Sequence, residues 1–95
     1  MEKVIIKTAN PELLRSLIKG VIRRELEDVE HGIELTQARL DSFEKQYKMT
    51  TTEFLRRFNR DDLGETLDFI EWDGEVKTLE LLEEKKSLFG EAKVD

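Results

Sequence analysis

Apolar residues recur every three or four positions from Asn10 to about Met49, which predicts one long amphipathic helix. A helix of that span is roughly 55–60 Å long, whereas a compact domain of this length has a radius of gyration near ~12 Å. The helix therefore needs a long partner surface. Its second part follows heptad spacing, and we expect this stripe to be the seam of a homodimer. The seam residues are Ile22, Leu26, Val29, Ile33, Thr36, Leu40 and Phe43.

Two parallel apolar rows mark the first turns of this helix, which begins at an Asn10-Pro11 capping signal. We expect both rows to be buried. The first row is Leu14, Ile18 and Ile22, and the second is Leu13, Leu17 and Val21. Further along, Gly32 either admits a close neighbour or is a tolerated glycine on an exposed face.

The segments on either side of the long helix complete one mainly α domain. Residues 1–9, β-branched from Lys3 to Thr8, predict a short N-terminal strand. Residues 10–49 form the long helix, and residues 50–89 form a helical tail that folds antiparallel onto it. Within the tail, Thr50 and Glu53 have the spacing of a capping box that starts a short helix.

The last segment of the tail has two interpretations. An Asp73-Gly74 pair between alternating residues favours a hairpin over residues 66–79. Apolar residues at spacings of three and four, followed by strong helix formers, favour a helix from Glu65 to about Leu88. Under the helical interpretation we expect Gly90 to end the helix, leaving residues 90–95 frayed.

Charge is divided unevenly along the 95 residues. The first 24 residues carry six basic and two acidic side chains, whereas the remaining 71 carry ten basic and twenty acidic ones. An acidic body argues against tracking a nucleic-acid backbone and suits a basic protein partner. With no cysteine, signal peptide or long apolar run, we expect a cytoplasmic protein that does not enter membranes.

A block of residues near the middle of the chain carries a family resemblance. It consists of Tyr47, Met49, Phe54, Phe58, Leu63, Gly64, Glu71 and Trp72, in that order and spacing. This block, within residues 40–85, resembles small helical proteins of bacteria and archaea that look like antitoxin partners of small toxins. Where these proteins often have glycine, this chain has Lys48. The resemblance implies that the chain binds and neutralises a small basic protein.

The aromatic cluster is the predicted partner-binding site. It comprises Tyr47, Phe54, Phe58, Phe69 and Trp72, with Arg56, Arg57 and Arg60 at its rim. Large aromatic side chains bordered by arginine are typical of binding hot spots. The alternative is that the tail folds back on the long helix and buries these side chains as core, which would contribute roughly 1.5–3 kcal/mol for each.

Other chemistry has weaker support in the sequence. No nucleophile motif or phosphate-binding loop is present, so we expect no enzyme activity and no cofactor. Asp28 and His31 have a spacing seen in metal sites, but we interpret them as helix surface and expect no metal. An alternative function is a DNA-binding autoregulator that uses Lys3, Ile5 and Lys7 on a basic strand. Another is a purely structural homodimer.

Overall fold

Three helices make up the part of the chain that the computed structural model describes, residues 5–91. α1 spans Pro11–Tyr47, α2 spans Thr51–Asn59 and α3 spans Leu67–Glu91. The molecule is elongated, measuring 59 × 24 × 18 Å. The mainly helical prediction with one long first helix is therefore confirmed.

The predicted limits of α1 are close to those observed. The Asn10 side chain caps the helix by accepting a hydrogen bond from the Leu13 amide at 3.1 Å, and Pro11 occupies the first turn. At the other end, Lys48 adopts a left-handed conformation with φ of 53°. The Met49 amide then donates to the Glu44 carbonyl at 3.3 Å. This turn reverses the chain into α2.

The capping prediction for α2 is confirmed in one of its two halves. The Thr50 hydroxyl accepts a hydrogen bond from the Glu53 amide at 3.1 Å. The Glu53 carboxylate, however, pairs with Arg56 at 2.6 Å, one turn further along α2.

α3 settles the ambiguity of the last segment in favour of a helix. The Thr66 hydroxyl accepts a hydrogen bond from the Phe69 amide at 3.1 Å and so caps the first turn. The Asp73-Gly74 pair lies inside the helix rather than in a hairpin turn. The prediction that Gly90 ends the helix is wrong, because helical geometry continues to Glu91.

The predicted N-terminal strand is not confirmed. Residues 5–9 are irregular and exposed, and the described residues contain no β-strand. Positions 1–4, which include Lys3, lie outside the described residues. Within the described residues, the basic strand predicted as a DNA-binding element is therefore not observed.

α3 runs antiparallel along α1 and covers most of the predicted seam. Val29, Thr36 and Leu40 of the seam are buried within a single chain. Beside them, Gly32 gives room to Leu82, since a Cβ built at Gly32 would lie 3.2 Å from the Leu82 Cδ1 atom. The seam residues of α1, which have coiled-coil spacing, thus pack against α3 of the same chain.

Within residues 5–91, the antiparallel register leaves the start of α1 without a neighbouring helix. Leu82 faces Gly32, and α3 ends at Glu91, so α3 reaches only about as far as Arg23. We call residues 11–24 of α1 the arm.

Candidate protein-binding surfaces

The predicted partner-binding aromatics form the centre of the core. Phe54 and Trp72 are completely buried, and their parallel rings lie 4.0 Å apart between centroids. Phe43 also stacks on Trp72 at 5.4 Å, and Phe69 packs against Phe54 at 5.6 Å. Phe58 also stacks on Phe54, at 5.2 Å. The cluster joins the three helices, with Phe54, Phe69 and Trp72 buried and Tyr47 and Phe58 partly buried.

Polar groups around this core are satisfied by specific partners. The Trp72 Nε1 atom donates to the Thr51 hydroxyl at 3.2 Å, and the Thr51 amide donates to the Glu44 carboxylate at 2.6 Å. The Tyr47 hydroxyl donates to the Asp68 carboxylate. That hydrogen bond, together with burial and the negative charge of Asp68, raises the pKa of Tyr47. These bonds tie the end of α1 to both other helices.

Two of the predicted rim arginines are engaged in local ion pairs. Arg56 contacts Glu53 at 2.6 Å, and this contact lowers the pKa of the Glu53 carboxyl and raises that of the Arg56 guanidinium. Arg60 contacts Asp62 at 3.1 Å. Arg57 is partly buried on the same short helix. Such exposed pairs contribute little to stability, but they offset the positive charge of the predicted rim.

The residues of the weaker alternatives occupy exposed positions. Ile5 and Lys7 are exposed in the irregular N-terminal segment, and His31 is exposed on α1. Across residues 5–91, no three His, Asp or Glu side chains are grouped closely enough to hold a metal ion. In the same range, no helix has the length and apolar content required to cross a membrane.

The arm presents an apolar row to solvent. Leu13, Leu17 and Val21 are 56%, 58% and 62% exposed. The prediction that both apolar rows of the first turns are buried is therefore wrong for this row. Gly20 lies between these side chains, and a groove of about 340 Å³ runs past it. The arm is thus an amphipathic helix with an uncovered apolar side.

A second uncovered row lies on α3, on the side that faces away from α1. Ile70, Leu81 and Leu88 are 51%, 52% and 59% exposed, and Leu67 begins the row. We call this row the outer face of α3. The apolar spacing predicted the buried row through Phe69 and Trp72 but not this second, exposed row. The available signal was that apolar residues occur all around α3 rather than on one side.

The two rows differ in the charge that accompanies them. On the outer face, Glu80, Glu84 and Glu91 follow one edge at spacings of four and seven, and the exposed Lys77 and Lys85 lie within the row at spacings of three and four from its leucines. α3 as a whole has eight acidic and three basic residues. On the arm, Arg24 lines the groove beside Leu17 and Val21, with Arg23 next to it. The arm has four basic residues and one acidic residue. The molecule therefore has a basic apolar surface at one end and an acidic apolar surface along one side.

Comparisons of the chain with protein-family models, with curated proteins and with solved structures found no match. The two exposed rows and their charges are therefore the features from which a function can be proposed.

Proposed function

We propose that this chain is a non-catalytic protein-binding module that holds a small basic partner protein on the outer face of α3. The observation that carries the proposal is the exposed row of Ile70, Leu81 and Leu88 beside an acidic edge. An apolar row of this length on a helix is costly to leave in water. A partner that covers it is the simplest function for it.

The chemistry of the surface defines the partner. Burial of each large apolar side chain contributes roughly 1.5–3 kcal/mol, so three of them can support specific binding. Glu80, Glu84 and Glu91 would face lysine or arginine on the partner. The partner is therefore an amphipathic helix or groove with an apolar stripe and a basic edge.

Because the middle of the chain resembles antitoxin-like proteins, we propose that the bound partner is a small toxin. A cytoplasmic antitoxin-like protein neutralises a small basic toxin by covering its surface, and it needs no catalysis or cofactor. The site proposed here differs from the aromatic cluster predicted from the sequence, because Phe54 and Trp72 already contact each other inside the fold. The aromatic cluster would instead stabilise the scaffold that presents α3.

The test is affinity capture from the native host with matched variants. L81D/L88D disrupts the apolar row, and L35D places an aspartate on another exposed leucine, on α1. Wild type and L35D should retain the same small basic protein, identified by mass spectrometry, while L81D/L88D should lose it. Titration of the purified partner should show binding at least about ten-fold weaker for L81D/L88D. Equal retention by all three proteins contradicts the proposal.

A growth assay tests the antitoxin-like form. Expression of the captured partner alone should slow growth, and co-expression of the wild-type chain should restore it. L81D/L88D should fail to restore growth while remaining folded by circular dichroism. A captured partner with no effect on growth would leave a binding module but contradict the antitoxin-like role.

A further inference from the structure

We infer that the arm of one copy of this chain binds the outer face of α3 in a second copy. This inference rests on the site of the proposed function and names one occupant for it. Both surfaces are apolar and uncovered in the described part of a single chain. They cannot meet within that chain, because the arm is continuous with α1 and the outer face points away from α1. Contact between copies covers both.

The arm is short enough to lie along the outer face. The arm extends roughly 20 Å, and the outer face from Ile70 to Leu88 extends about 27 Å. The groove at Gly20 is lined by Ser16, Leu17, Val21, Arg24 and Glu25. No atom approaches within 4 Å of the position a Cβ would take at Gly20. A leucine of the outer face, such as Leu81, can occupy this space beside the arm backbone.

Charge selects this pairing over the two alternatives. Pairing two arms would bring together two segments that each have four basic residues and one acidic residue, and pairing two α3 helices would bring together two helices that each have eight acidic and three basic residues. Like charges placed together oppose association. Contact between the arm and the outer face is the pairing that joins a net positive surface to a net negative one. Each copy supplies one surface of each kind, so the contact can occur twice about a two-fold axis.

An anionic lipid surface is the competing occupant for a basic amphipathic helix. Two features favour protein over lipid. The arm contains no aromatic residue, whereas interfacial helices commonly place such residues at the lipid boundary. The rest of the chain carries an excess of ten acidic residues, which opposes approach to a negative surface.

Sedimentation and light scattering of charge-reversed variants test the pairing. Wild type should be a dimer at about 100 μM, whereas R23E/R24E and E80K/E84K should each be monomeric while retaining native helix content. Mixing these two variants should produce a heterodimer, because the reversed arm then meets the reversed face and the wild-type arm meets the wild-type face. Combining all four substitutions in one chain should restore self-association.

Several results would overturn the inference. These are a monomeric wild type, dimers that survive both reversals, or a mixture of variants that stays monomeric. A further one is binding of the wild type, but not R23E/R24E, to anionic phosphatidylserine vesicles without self-association in solution. G20L offers an independent check, since a side chain that fills the groove should weaken the dimer by about ten-fold or more.

The two proposals can fail separately. R23E/R24E leaves the outer face of α3 intact, so it should still capture the basic partner, and more tightly because no arm competes. A monomeric wild type that captures a partner through Leu81 and Leu88 overturns only the self-association. A dimer that is lost on each charge reversal and restored on mixing the two variants, in a chain that captures no partner, overturns only the proposed function.

Discussion

The indole of Trp72 lies flat on the ring of Phe54, with 4.0 Å between ring centroids and 1° between ring planes. These residues come from α3 and α2, and both are completely buried. Phe43 of α1 stacks on Trp72 at 5.4 Å. One aromatic stack therefore connects all three helices, and it is the point at which the fold is most sensitive to substitution.

Trp72→Ala should lower the free energy of unfolding by about 3–5 kcal/mol, since it removes the largest buried side chain and leaves a cavity. Trp72→Phe should cost less, because stacking is retained and only the bond to Thr51 and part of the volume are lost. Urea unfolding followed by circular dichroism measures both. As a control, L35A at an exposed site should change stability by less than about 0.5 kcal/mol. Equal effects of W72A and L35A would contradict the assignment of Trp72 to the core.

Tyr47 should make the free energy of unfolding depend on pH in the alkaline range. Its pKa lies above the ordinary value of 10.0, chiefly because its hydroxyl donates a hydrogen bond to Asp68. The folded state thus holds this proton more tightly than the unfolded chain. The stabilisation is complete below pH 10 and is lost as the pH rises through the raised pKa.

Tyr47→Phe isolates this contribution, because it keeps the ring and removes the hydroxyl. The stability advantage of wild type over Y47F should shrink above pH 10 in urea unfolding experiments. Tyr47 is the only tyrosine of the chain, so ultraviolet absorbance of the phenolate titrates it directly. A midpoint at or below 10 in the folded protein would contradict the bond to Asp68.

The two glycines of α1 should respond differently to alanine. Gly20→Ala meets open space and should raise stability by about 1 kcal/mol through helix propensity alone. Gly32→Ala should gain less, because its new Cβ would crowd Leu82 at 3.2 Å. Thermal unfolding of the two variants at low protein concentration gives the comparison. A larger gain for G32A than for G20A would contradict the packing of α3 on α1 at this point.

Lys48→Gly should stabilise the turn between α1 and α2. Lys48 has a φ of 53°, and a side chain in this left-handed region costs about 1 kcal/mol relative to glycine. Lys48→Ala is the matched control, because alanine removes the charge and keeps the Cβ. K48G should therefore exceed K48A in unfolding free energy. Equal stability of K48G and K48A would indicate that the backbone strain is not present.

The long helix was predictable because its signals are local. Asn10 and Pro11 mark its start, and the apolar spacing persists through every turn. The partner of its stripe was not predictable in the same way. The apolar spacing on α1 predicts that Val29 and Leu40 are buried, but either a second chain or α3 could bury them. The choice depends on the turns at Lys48 and Gly64, which set the path of the tail.

The candidate surfaces were less predictable than the fold. The aromatic cluster looked like a hot spot because aromatic residues suit both cores and interfaces, and only the packing of Phe54 against Trp72 separates the two. Leu13 and Leu17 were expected to be buried because a second apolar row usually has a neighbour. Within the described residues, α3 extends to Glu91 and does not reach them. Exposure of a helix face is a property of the tertiary register, which the sequence pattern of one helix does not contain.

The exposure of the arm also creates a gradient of local stability along α1. An isolated helix of about 14 residues is only marginally stable in water. The helical structure of the arm therefore depends on the rest of α1, which follows it. Its amides should therefore exchange hydrogen rapidly, while those beside Trp72 exchange only on global unfolding. Binding of the arm to a second copy would slow this exchange. Deuterium uptake would then report association as the completion of helix formation at one end of α1.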